Sequence, residues 1–130
     1  MKQAVVIDAV RTPMAKASAD IGYYRDVRSE DLSAHVIKSL VERTGIDPHL
    51  IEDVKWGCVQ QQGEQGYDIG RIACLVAGLP VEVPGVTLNR NCGSSLTAIN
   101  DAAMYIAGGT DDIQIVVGRT YGSHLHESGI

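Results

Sequence analysis

Thiols are the side chains in this sequence best suited to covalent chemistry, and there are three: Cys58, Cys74 and Cys92. The number is odd and no CxxC spacing occurs, so a disulfide framework is not expected. A metal site is not expected either, because His35, His49, His124 and His126 fall at no ligand spacing to any cysteine. Free thiols of this kind suit a reducing compartment. A free cysteine is ordinarily a small buried hydrophobe, but the context of Cys92 differs. A short strand ends at Asn89, the chain turns through Arg90 and Asn91, and a helix begins by Ser94, so Cys92 falls at or next to its first turn. Unpaired N–H groups and the positive end of the helix dipole gather there, and both favour a thiolate over a thiol. Gly93 allows close approach of backbone or ligand, and Ser94 and Ser95 are capping residues. The arrangement shares its logic with a strand-to-helix nucleophile elbow, though the letters differ from GxSxG. On the residues alone two readings stay open: an activated nucleophile, or a buried cysteine at a helix start. Cys58, in the middle of a strand, and Cys74, on a helical face beside Val76, read as core.

The elements that position these residues follow from periodicity and punctuation. Gln3 to Val10 alternates and ends in an apolar run, which predicts a buried first strand broken by Arg11-Thr12-Pro13. Met14 to Arg28 has no clean period and reads as a loop. Ser29 reads as an N-cap, with Glu30 and Asp31 in the first turn, an apolar stripe at Leu32, Val36, Ile37, Leu40 and Val41, and a stop at Gly45. Ile51 to Gln60 predicts a strand with Val54, Trp56 and Cys58 on one face. Gly66 to Gly78 predicts a helix through Ile69, Ile72, Ala73, Val76 and Ala77. After the short strand Val86 to Asn89, Ser94 to Ala107 predicts a helix with Leu96, Ile99, Ala103 and Ile106 in register. Asp111 to Val117 closes the series as a strand. The order βαβαβαβ predicts an α/β fold with a layered, mostly parallel sheet and right-handed crossovers.

Composition bounds the partners. The 130 residues suit one domain, and 45% hydrophobic with 21% charged residues excludes a disordered chain. Sixteen acidic against eleven basic residues argue against sequence-independent nucleic-acid binding. Apolar runs such as Ile72 to Ala77 are too short for a transmembrane segment, and Met1-Lys2 lead into Ala4-Val5-Val6-Ile7 without the pattern of a signal peptide, so a cytoplasmic location is expected. With no Phe and one Trp, the core is expected from Val, Ile, Leu and Ala. Gly63, Gly66 and Gly70 form no phosphate-binding pattern and read as turn and packing glycines. His35 reads as a surface residue, and His124 and His126 lack a third metal ligand, so no metal is expected.

Four segments together are similar to one family. They are Val5-Val6-Ile7-Asp8-Ala9-Val10-Arg11-Thr12-Pro13-Met14, Arg28-Ser29-Glu30-Asp31-Leu32-Ser33-Ala34-His35, Trp56-Gly57-Cys58-Val59-Gln60-Gln61 and Asn89-Arg90-Asn91-Cys92-Gly93-Ser94-Ser95. The chain resembles the N-terminal part of the thiolases, and within them the 3-ketoacyl-CoA thiolases (acetyl-CoA C-acyltransferases) of fatty-acid β-oxidation, of the bacterial type that serves as β-subunit of a fatty-acid oxidation complex. The resemblance runs from about residue 3 to residue 118 and makes residues 1–118 a partial thiolase N-terminal domain. It implies that Cys92 attacks an acyl-CoA thioester and carries the acyl group in a ping-pong cycle, with coenzyme A as substrate and no resident cofactor. It implies that the backbone N–H of Cys92 helps hold the oxyanion, supported at the helix N-terminus by Gly93 and Ser94. It also implies a homodimer or larger oligomer, with Val86 to Asn89 near the contact, and the α-subunit of an oxidation complex as a partner.

The departures set further expectations. The family's second half supplies a histidine that activates the nucleophile and a second, acid/base cysteine; no GxNHP-like or CxG-like segment occurs in these residues. The chain therefore reads as a truncated enzyme, weak or inactive alone, and the alternative is a non-catalytic remnant or dimerisation module with the same fold. Residues 119–130 depart from the family's usual continuation. The codons for Thr120-Tyr121-Gly122-Ser123-His124 can be chosen so that a shifted frame reads His-Met-Gly-His, so this tail reads as frameshifted, an expectation that the downstream nucleotide sequence decides.

Overall fold

Trp56 is the largest fully buried side chain, and the elements assemble around the strand that carries it. A computed structural model describes residues 1–16, 18 and 20–118. Among these, helix α1 spans Ser29–Thr44, strand β1 Asp53–Gly57, helix α2 Ile69–Ala77, strand β2 Gly85–Leu88, helix α3 Ser94–Gly108 and strand β3 Gln114–Gly118. Short 3₁₀ turns at Pro48–Leu50 and Gly63–Gln65 precede β1 and α2. The strands are all parallel, in the order β2-β1-β3. From β1 the chain steps sideways to β2 through α2, then back past β1 to β3 through α3. Two steps in opposite directions with the same right-handed crossover place their helices on opposite faces. Accordingly α1 and α2 pack together, α2 lies on β1 and β2, and α3 lies on β1 and β3.

The central strand is covered on both faces, and its alternation divides the two interiors. Val54 and Trp56 point to the α1/α2 layer, in one cluster with Ile37, Ile69, Ala73, Cys74, Ile115 and Val117. Lys55 points the other way and is 4% exposed. Its ammonium lies 2.9 Å from the Asp53 carboxylate and 3.9 Å from the centre of the Tyr105 ring, so the buried charge is paired and capped by a π-face of α3.

The α/β class and the parallel sheet are as the sequence predicts; several boundaries and one element differ. Gln3 to Val10 forms no strand. Its neighbourhood is tethered by the Lys2 N–H donating to the Ala107 carbonyl (3.2 Å), by a Lys2–Asp112 ion pair and by Asp8 with Arg43 (2.9 Å). Val5, Val6 and Ile7 remain exposed. Apolar alternation marks a segment that would bury its side chains but does not supply the edge it needs for a ladder. Arg28, not Ser29, is the N-cap of α1, and Ser29 is already helical and buried. Helix α2 starts later than Gly66, because the Asp68 carboxylate accepts from the Arg71 N–H (3.3 Å) and from the Thr87 hydroxyl (2.5 Å), fixing the cap against β2. The ladder of the second predicted strand is confined to Asp53–Gly57, although Ile51 and Cys58 on either side are buried. The apolar register of α3 is also corrected. Leu96 and Ile99 face outward, and the sheet is met by Ser94, Ala98 and Ala102. The tail expectation for residues 119–130 and the pair His124 and His126 lie outside the described residues.

Cys74 is fully buried, its Sγ–H donating to the Gly70 carbonyl at 3.0 Å. Burial pushes its thiol from the ordinary 9.0 up to about 11, with the nearby Arg71 acting in the opposite direction. Below pH 9 the thiol is neutral in the folded and the unfolded chain. Between pH 9 and about 11 the unfolded thiol ionises while the folded one keeps its proton, so stability falls as pH rises. Denaturant unfolding near pH 8 and about pH 10.5 should show the natural chain losing on the order of 2 kcal/mol more than Cys74→Ala. Equal losses would contradict this assignment.

Candidate active site

In open parallel sheets ligands gather at the carboxyl ends of the strands. Three segments meet that edge here: the chain after β1 at Cys58–Gln61, the turn from β2 into α3 at Asn89–Gly93, and the end of β3 at Gly118. The Cys58 N–H donates to the Leu88 carbonyl (3.0 Å), carrying the β1–β2 pairing one residue further to the start of the turn.

The turn is short and closed on itself. The Gly93 N–H donates to the Arg90 carbonyl (3.0 Å) and the Ser94 N–H to the Asn91 carbonyl (3.1 Å). Ser94 is 3% exposed, and its hydroxyl accepts from the Arg90 N–H (2.8 Å) while donating to the Asn91 carbonyl (2.6 Å). Asn91 adopts φ +47°, a left-handed conformation that asparagine tolerates better than most residues. Cys92 follows it, and Gly93 at φ −90° is the N-cap of α3, its carbonyl accepting from the Thr97 N–H (2.9 Å). Cys92 therefore lies next to the first turn of α3, one residue before its N-cap, and it is exposed. The reading of a buried helix-start cysteine is excluded by that exposure. The serines also depart from simple capping. Ser94 turns its hydroxyl back into the turn, and Ser95 lies against the sheet.

Glycines set how closely α3 approaches. A Cβ on Gly57 would lie 2.6 Å from the Ser95 backbone nitrogen, and one on Gly118 would overlap the Ser95 side chain. Both glycines end their strands on the α3 face, so the first turn of α3 rests almost directly on sheet backbone. A side chain on Gly93 would meet the Arg90 carbonyl oxygen at 3.3 Å, which is tight but open to small adjustment.

The other two thiols are core residues, as the sequence predicts. Cys58 is 2% exposed, with its Sγ near the Gln60 carbonyl (3.3 Å) and the Gln65 amide oxygen (3.4 Å), and Cys74 is bonded as described above. His35 is exposed on α1 and His49 is exposed on the turn after it, in the layer across the sheet from α3. Sequence reasoning left Asn89 and Lys55 without a role. Asn89 lies inside the quoted motif; its bond from the Asn91 N–H is a local turn, and only its bond to the Val59 carbonyl depends on tertiary placement. Lys55 could have been noticed as a cation inside an apolar strand, two residues from Asp53 and on the same face.

Comparison with known proteins agrees with this geometry. The family model described as the thiolase N-terminal domain matches residues 4–127, a span that runs past Gly118. Curated proteins named 3-ketoacyl-CoA thiolase are similar over 126 residues, which is 96% of this chain. Those from Aeromonas hydrophila, Shewanella baltica and Pseudoalteromonas translucida are 48%, 50% and 44% identical. The chain covers 32% of each, so it spans about a third of the length of the curated relatives it matches. With most of its residues matched by the family model and the motif around Cys92 held on a braced strand-to-helix turn, the chain belongs to the thiolase family, in the part that forms the N-terminal domain.

Proposed function

We propose that this chain carries the nucleophile of a 3-ketoacyl-CoA thiolase, with Cys92 as the residue acylated by acyl-CoA. One observation carries the reading: of the three thiols, only Cys92 is exposed, and it sits on the hydrogen-bonded turn at the carboxyl edge of a parallel sheet. In the degradative direction the Cys92 thiolate attacks the keto carbon of a 3-ketoacyl-CoA. The resulting oxyanion collapses, the bond between C2 and C3 breaks, and acetyl-CoA leaves as its enolate and takes up a proton. Free CoA then attacks the Cys92 thioester and releases the shortened acyl-CoA. The Cys92 N–H serves as an oxyanion donor, and Gly93 and Ser94 hold the helix start behind it. The reaction needs CoA as substrate and no resident cofactor.

Both described histidines lie in the layer across the sheet from α3. A general base is worth roughly 10²–10⁴ in rate, and neither described histidine lies in the layer of α3, so acyl transfer to Cys92 is expected to be slow. A non-catalytic dimerisation module is the second reading, favoured by the apolar surface the chain exposes. Leu96, Ile99 and Met104 on α3 and Val86 on the edge strand β2 are open, and each such side chain is worth roughly 1.5–3 kcal/mol when buried. A second copy of this chain covers them in a homodimer or larger oligomer. By resemblance, the α-subunit of a fatty-acid oxidation complex is a further partner. Among the described residues no helix is long and apolar enough to cross a membrane. Free thiols support a reducing, cytoplasmic setting.

Incubation with acetyl-CoA or a 3-ketoacyl-CoA, followed by iodoacetamide and peptide mapping, should place an acyl adduct on Cys92, absent in Cys92→Ser. Turnover should fall well below that of a complete thiolase. Acylation of Cys58 or Cys74 instead, or none on Cys92, would favour the dimerisation module. Sedimentation over a concentration series should show self-association, and a monodisperse monomer at all concentrations would contradict the proposed oligomer.

A further inference from the structure

Asn89 bonds both to the turn holding Cys92 and to the segment after β1. Its Nδ2 donates to the Val59 carbonyl at 2.9 Å, and its Oδ1 accepts from the Asn91 N–H at 2.8 Å. The first bond ties the turn to the chain that follows β1. The second fixes the peptide entering Asn91, the residue at φ +47° immediately before Cys92. A non-glycine residue in that conformation persists where its surroundings over-determine it. Ser94 braces the same turn from the helix side through Arg90 and Asn91, so the two flanking bonds close it from both ends. The Val59 segment is itself anchored. The Cys58 Sγ is held by Gln60 and Gln65, and the Gln61 side-chain amide donates to the Cys58 carbonyl (3.4 Å).

We propose that Asn89 is a positioning residue for Cys92: its amide locks the left-handed turn and registers it against the segment after β1, so that the thiol and its neighbouring N–H groups keep one fixed relation. The inference deepens the acyl-transfer reading of Cys92 and rests on it for its consequence. Neither function of the amide survives in alanine. Serine keeps an oxygen able to accept from the Asn91 N–H, as in a serine turn, but cannot reach Val59. Aspartate keeps the acceptor and loses the donor.

The test uses the full chain, with iodoacetamide as the probe of Cys92. Asn89→Ala should change the alkylation rate of Cys92 roughly fivefold or more near neutral pH and alter the pH profile of alkylation, since a loosened turn no longer keeps the thiol in one fixed relation to its surroundings. Asn89→Ser should recover part of the rate. Ile37→Val, a core change in the layer away from α3, should lower the melting temperature and leave the profile where it was. The proposal is overturned if Asn89→Ala and Asn89→Ser lower the melting temperature but keep the natural rate and pH profile, as Ile37→Val does. If Asn89→Ala does not fold, Asn89→Asp gives the same comparison, and an unchanged profile there overturns the proposal equally. Alkylation separates this inference from the functional reading. A moved profile in a chain whose Cys92 accepts no acyl group from acetyl-CoA would defeat acyl transfer and leave the positioning role standing.

Discussion

Helix α3 lies against the sheet at backbone distance, and the geometry of the Cys92 turn follows from that contact. Layers of an α/β fold are usually separated by side chains from both sides. At the carboxyl ends of β1 and β3 one side contributes none, because Gly57 and Gly118 leave room for Ser95 to settle onto the strands. A Cβ on Gly57 would meet main-chain atoms of Ser95 at 2.6–2.8 Å, where no rotamer change brings relief. With Ser95 seated there, the adjacent Ser94 is buried and its hydroxyl is directed into the turn before it. Five residues separate the last residue of β2 from the first of α3, and the left-handed Asn91 accommodates the reversal. Cys92 is what this arrangement leaves on the outside.

The same close approach explains the surface of α3. Where a helix rests on backbone it can place only small residues toward the sheet, and Ser94, Ala98 and Ala102 are those residues, while Tyr105 further along caps Lys55. Its larger apolar side chains then face away, so Leu96, Ile99 and Met104 are exposed while the alanines are buried. The opposite layer is built conventionally. Helices α1 and α2 bring Ile37, Ile69, Ala73 and Cys74 onto Val54, Trp56, Ile115 and Val117, and this is where the main core sits. Lys55, a polar intrusion on the α3 face, is offset by Asp53 and the Tyr105 ring.

Much of this was legible in the residues, for definite reasons. Glycines at 45, 78 and 109 stand at left-handed helix ends, so the stops of all three helices were readable from a local conformational demand. The alternation of Val54, Trp56 and Cys58 gave the buried face of β1 correctly. Cys58 and Cys74 were recognisable as core because an apolar strand and a helical stripe surround them. The failures share one cause, since periodicity reports which residues are apolar and not which surface receives them. That is why Gln3 to Val10 looked like a strand and why Leu96 and Ile99 looked like a core stripe. The bond from Asn89 to Val59 depends on where two distant segments meet. No local pattern encodes that meeting.

The central claim, that bare glycine backbone seats α3 and through it the turn, is tested most directly by a double-mutant cycle between Gly118 and Ser95. A Cβ on Gly118 would lie 2.5 Å from Ser95 Cβ, so rotating the hydroxyl does not remove the clash and only loss of the side chain does. Unfolding free energies of Gly118→Ala, Ser95→Gly and the double variant should show a favourable coupling of about 1–3 kcal/mol, with Ser95→Gly rescuing much of the damage done by Gly118→Ala. Effects that add to within about 0.5 kcal/mol would contradict the account, because they would mean that α3 does not rest on the strand at that point.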